Sequence, residues 1–178
     1  MNKIKLILVL LFIIGCNTES FDTDKKEYII PGDSSIEGVK VGKDIKEAEK
    51  ILSKRFICEK STIELEGEKC PILFVKEKKG EKLFYLEEDK GKIYRITVIS
   101  PRCKTKEGIH VGSTLAEAVK VYGVPEIVYG EGIVAIFKKQ GKMSFGISCS
   151  SNNIYGNINS NNYTKYADKA IIDSILIL

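Results

Sequence analysis

The chain has one histidine, His110, among its 178 residues. A single imidazole leaves no histidine-rich metal set, and no Cys-x-x-Cys spacing supplies a thiolate one. No serine sits in a G-x-S-x-G elbow, so nothing marks a nucleophile for that imidazole to activate. The sequence lacks G-x-x-x-x-G-K-[ST] and G-x-G-x-x-G, which removes the two common glycine-rich phosphate cradles. The paired acids Glu87 and Glu88 lie among lysines, as on a solvated face. No apolar run approaches the ~20 residues of a membrane-spanning helix. Blocks of one charge sign are also missing, and the formal net charge is only +4. Lys3 and Lys5 supply two of those four charges. Lysines and glutamates are interleaved elsewhere, which argues against a nucleic-acid partner. These absences predict a protein that is not an enzyme and that needs no metal and no cofactor.

The strongest local signal is the start, MNKIKLILVLLFIIGC. Lys3 and Lys5 form a positive region, Leu6 to Ile14 a nine-residue apolar run, and Ile13-Ile14-Gly15-Cys16 resembles the bacterial lipobox. This is the pattern of a targeting leader, set apart from the fold. The resemblance implies that Cys16 is diacylated and becomes the mature N-terminus. An ordinary secretory signal is the other reading, but Cys16 closes the apolar run directly after a small residue. Several buried acyl chains, at ~0.8 kcal/mol per CH₂, hold a protein firmly on a membrane. Asn17 after the cysteine favours the outer over the inner membrane in a Gram-negative cell. The sequence therefore predicts a leader over 1–15, a polar tether over 16–26, and a body lipid-anchored to the cell envelope.

Four cysteines remain beyond Cys16: Cys58, Cys70, Cys103 and Cys149. An even number in an exported chain predicts two disulfides. Three connectivities are open. Position along the chain favours Cys58–Cys70 and Cys103–Cys149.

The body carries a near-repeat. GVKVGKDIKEAEKIL, from Gly38, aligns with GIHVGSTLAEAVKVY, from Gly108, at an offset of 70 positions. Gly38, Val41, Gly42, Glu47 and Ala48 meet Gly108, Val111, Gly112, Glu117 and Ala118. Each copy reads as a short strand, a glycine turn and an amphipathic helix. Asp44 and Thr114 stand as N-caps with a glutamate three residues on. Strand-like runs follow near 72–75, 83–86 and 93–99, then near 133–137, 143–147 and 171–177. The closing runs, YRITVI from Tyr94 and DSILIL from Asp173, answer one another. The prediction is an α+β fold of two tandem α-β-β-β units, 27–101 and 102–178, with helices packed on antiparallel sheet. Cys58 and Cys70 bracket an insertion of the first unit. An Asn- and Ser-rich insertion after Cys149 distinguishes the second. His110 stands in the place of Lys40, on the face opposite the core.

At the repeated G-[IV]-x-V-G-x-[ST/D]-[LI]-x-E-A motif the chain resembles a class of small exported bacterial proteins. That class includes the outer-membrane assembly lipoproteins of the SmpA/OmlA (BamE) type and the tandem β-lactamase inhibitory proteins. The resemblance implies helix-then-sheet units and protein binding. The expected function is a non-enzymatic envelope lipoprotein whose partners are the membrane and another envelope protein. An inhibitor of an envelope or foreign enzyme is the alternative. Tyrosines among small polar residues suit a recognition surface, so Tyr155, Asn157, Tyr163 and Tyr166 in the Asn-rich loop are the candidate partner-binding residues. A polar connector with tyrosines packing its base is the plainer reading of that loop. Cys16→Ala is expected to release the protein from membranes in fractionated cells; a variant that still sediments with them would end the lipoprotein reading.

Overall fold

A computed structural model describes residues 26–65, 67–130, 132–149 and 154–178. The predicted leader, Cys16 and the tether through residue 25 lie outside the described residues. The strands are β1 (Tyr28–Ile30), β2 (Ser35–Ile36) and β3 (Val39–Lys40), followed by helix α1 (Ile45–Leu52). Then come β4 (Ile57–Leu65), β5 (Glu68–Lys76), β6 (Lys82–Asp89), β7 (Lys92–Val98) and β8 (Cys103–Thr105). Helix α2 (Leu115–Tyr122) precedes β9 (Glu126–Tyr129), β10 (Ile133–Ile136), β11 (Met143–Cys149) and β12 (Ala170–Ile177).

The chain is an α+β protein built on one eight-stranded antiparallel sheet, in the order β4-β5-β6-β7-β12-β11-β10-β9. Side chains alternate between its faces. Following the register across the sheet gives a row of Val75, Phe84, Val98, Ile175, Phe145, Ala135 and Ile127, all buried. The helices bury Ile45, Ala48 and Leu52 from α1, and Leu115, Ala118 and Tyr122 from α2, in the same core. Tyr122 stacks on Phe145 with ring centroids 5.6 Å apart. Its hydroxyl donates to Glu107 at 2.8 Å and lies 2.7 Å from the Thr105 hydroxyl, so the polar tip is satisfied although burial raises its pKa.

Both helices begin as the cap residues require. The Asp44 carboxylate accepts from the amides of Lys46 and Glu47. Thr114 and Glu117 bond reciprocally in a full capping box.

The glycine turns before the helices have a further task. Gly42 and Gly112 take φ of 83° and 98°, a conformation open to glycine because it has no Cβ. In that shape the Gly42 amide donates to the Ile93 carbonyl, and the Ile93 amide to that of Lys43. The Gly112 amide likewise donates to Ile172, and Ile172 to Ser113. Each turn is thereby stitched to the edge of β7 or β12.

Several expectations are corrected. Four strands, not three, of the main sheet follow each helix: β4 and β9 read poorly because most of their side chains are polar or exposed. The supposed insertion between Cys58 and Cys70 is the β4–β5 hairpin. Residues 109–111 form only a bridge, His110 to Lys104, rather than an entry strand. In addition, β1 pairs in parallel with β8, Tyr28 opposite Cys103, which ties the start of the body to its middle.

Alanine at Gly42 or Gly112 should lower the unfolding free energy by about 1–2 kcal/mol in urea titrations, the cost of a left-handed L-residue. Gly132→Ala, at open space without a positive φ, should stay within about 0.5 kcal/mol of the parent.

Candidate groove on the outer face of the sheet

The sheet face away from the helices forms a groove of about 840 Å³. Its geometry follows from how the two halves of the sheet meet. β7 and β12 share only three rungs: Ile96–Ile177, Thr97–Leu176 and Val98–Ile175. Beyond them each strand carries a bulge, which frees one residue from pairing and re-aims it. In β7 the register steps from Glu87–Arg95 to Glu88–Ile93 and leaves out Tyr94. In β12 it steps from Gly146–Ser174 to Ile147–Ile172 and leaves out Asp173. Both bulged residues line the groove.

Thr97 and Leu176 lie on its floor, at the joint between the halves. One side is made by Leu65, Glu68 and Cys70 at the tip of the β4–β5 hairpin. The other is made by Val128, Tyr129 and Val134 from β9 and β10. Beside the floor, Arg95 Nε and Nη2 each donate to Glu87 at 2.7 Å, and the Thr97 hydroxyl donates to the same carboxylate at 2.7 Å. Glu87 is only 3% exposed, and these donors replace the water its carboxylate gives up. The arrangement offers aromatic and aliphatic contact area with fixed polar groups among it, which is the chemistry of a recognition surface. Tyr94 and Tyr129 are 59% and 43% exposed.

The chain is similar in fold to the crystal structure of the uncharacterized protein yfeY from Escherichia coli. That match has a TM-score of 0.59 at 11% identity and covers 85% of this chain and 99% of that one. At this identity the likeness shows the fold alone. No protein-family model matches the chain, and no curated protein matches it. The match supports the α+β architecture and does not carry the expected resemblance to assembly lipoproteins or β-lactamase inhibitory proteins.

Of the sequence candidates, Tyr155 belongs to the groove's surroundings. It is 64% exposed and meets Tyr129 edge-on, with centroids 5.5 Å apart. Asn157 is exposed, and its carbonyl accepts from Asn162 Nδ2 at 2.8 Å. Tyr163 and Tyr166 are half-buried and packed against the core, so they serve the loop's base. The loop is a cap rather than an open flap, since Ile154 and Ile158 are both buried. Sequence reading missed the groove itself, because its lining comes from all eight strands of the main sheet, whose register no local pattern reports. The paired runs YRITVI and DSILIL were the signal: each opens on a bulged residue.

The hairpin register does not fit the favoured Cys58–Cys70 pairing. Cys58 lies opposite Val75 and Cys70 opposite Ile63, five rungs apart in one hairpin. At ~3.4 Å per residue that is well beyond disulfide reach. Cys58, Cys70 and Cys103 are unbridged thiols. The Cys149 thiol donates to the Lys169 carbonyl at 3.3 Å. Cys103 is fully buried in β8, and burial pushes its thiol up to about 12. Burial also raises Cys58. In the native protein near pH 8, alkylation should reach Cys70 and spare Cys103. After denaturation without reductant all of Cys58, Cys70 and Cys103 should be modified, as counted by mass spectrometry. A peptide pair linked through any two of them would overturn this assignment.

Proposed function

We propose that this is a lipid-anchored envelope protein that holds a partner protein in the outer groove and performs no chemistry on it. The groove carries the reading. A sheet with one face covered by helices leaves its other face to solvent, and here that face is concave, tyrosine-bearing and built from both halves of the chain. Amphipathic aromatics give contact area at low entropic cost. The Glu87–Arg95–Thr97 cluster holds the floor rigid, which limits what binding must order. Cys16, through its acyl chains, would place this surface at a membrane, with the outer membrane preferred.

The chain is further read as two tandem units of the BamE and β-lactamase inhibitor kind, 27–101 and 102–178. Several correspondences support this. An offset of 79 carries Tyr94 onto Asp173, the two bulged residues. It carries Thr97 onto Leu176, which face each other at the joint, and it exchanges the flanking rungs Ile96–Ile177 and Val98–Ile175. A residue paired with its own equivalent is what an isologous contact requires. The Gly42–Ile93 and Gly112–Ile172 hydrogen bonds correspond in the same way.

Photo-crosslinking residues placed at Tyr94, Tyr129 and Tyr155 test the groove in intact envelopes. A shared adduct of one mass is expected from these sites, and none from Ile51 or Val121 on the exposed flanks of the helices. Adducts confined to the helix sites would discard the groove.

A further inference from the structure

A second surface lies where the described chain begins. Lys26, Tyr28, the α1–β4 turn, the β5–β6 turn and Arg102 surround a depression of about 520 Å³. Six cationic side chains line it against two carboxylates, Glu77 and Glu81. Both carboxylates are already engaged. Arg102 Nη1 reaches Glu77 at 2.5 Å and Glu81 at 3.2 Å, and the Tyr28 hydroxyl also donates to Glu77. Arg55 is held by Glu37 at 2.6 Å. Lys26 lies over the Tyr28 ring, 5.4 Å from its centroid, and Lys54, Lys78 and Lys79 remain, all exposed and without an ion pair among the described residues. The body as a whole is close to neutral, so this concentration of positive charge is local.

Its position matters as much as its sign. Lys26 is ten residues from Cys16, and ten residues span at most about 36 Å. Lys26, the first described residue, lines the depression, so a tether from Cys16 enters the body at this surface. We propose that this basic surface docks on anionic lipid headgroups of the anchoring membrane, with Lys54, Lys78 and Lys79 contacting the phosphates. The placement rests on the lipid-anchor reading, whereas the headgroup affinity does not. Docking would also set an orientation. Phe56, just before β4, and Glu77, just after β5, line the depression, while Leu65, Glu68 and Cys70 at the other ends of these strands form a side of the groove. Nine-residue strands at ~3.4 Å per residue put that side about 30 Å from the lipid.

The test is vesicle sedimentation of the non-acylated chain from residue 17 to 178. Binding is expected to phosphatidylglycerol-containing vesicles at low salt and not to pure phosphatidylcholine. It should be lost near 1 M salt, where the Debye length falls to about 3 Å. Replacing Lys54, Lys78 and Lys79 together by alanine should weaken binding about 100-fold, at roughly fivefold per cation. Neutralising Lys138, Lys139 and Lys142 removes the same charge elsewhere and should change it little. No binding to anionic vesicles, equal binding to neutral ones, or equal loss from both triple variants would overturn the proposal. Failure of the anchor reading shows separately, as a membrane-associated Cys16→Ala variant.

Discussion

Three rungs of antiparallel pairing between β7 and β12 hold the two halves of this protein in one sheet. Ile96, Val98, Ile175 and Ile177 from those rungs are buried on the helix side. Without them each half would be a four-stranded sheet with an open edge and a core half the size, both unfavourable. The joint is short for a physical reason. Along the same edges, farther back, the glycine turns already occupy the backbone groups of Ile93 and Ile172. Only the last residues of each strand are left to pair with the other half. The bulges at Tyr94 and Asp173 mark where one kind of pairing gives way to the other.

That constraint makes the groove. Halves joined at one end can splay, and bulges increase local twist. The outer face becomes concave with side chains from both halves around it. Its floor is not apolar throughout. A carboxylate as buried as Glu87 is tolerated because a bidentate guanidinium and a hydroxyl meet it with good geometry. Removing Arg95 alone would leave a buried charge unpaired, which costs far more than removing both groups.

The proposed partner groove and the proposed lipid surface stand at opposite ends of the long β4–β5 hairpin. One is aromatic with a satisfied ion pair at its floor; the other is cationic with its carboxylates already spoken for. A tethered body with such a division of surfaces would present the groove away from the membrane without any moving part. The described part of the Asn-rich loop after Cys149 closes the core through Ile154 and Ile158, and its Tyr155 meets Tyr129 at the groove.

Local chemistry was legible in the sequence. The two helices start at Asp44 and Thr114, the glycines adopt the turn conformation they were chosen for, and the strong apolar runs of β5, β6, β7, β10, β11 and β12 are strands. Each of these depends on residues within a few positions of one another, where capping, positive φ and side-chain period act directly. Less legible were the details that depend on register. The polar strand Ile57–Leu65 reads as an insertion because an edge strand buries little and need not alternate. Cys58 and Cys70 look like a staple in sequence, yet the hairpin register sets them five rungs apart. Tyr163 and Tyr166 pack against the core, as the plainer reading of that loop expects. The sequence by itself determined the pieces, their caps and their turns. Tertiary structure alone decided which strand edges met, because the Ile93 and Ile172 backbone groups pair with turns from far along the chain, and that choice shaped the groove.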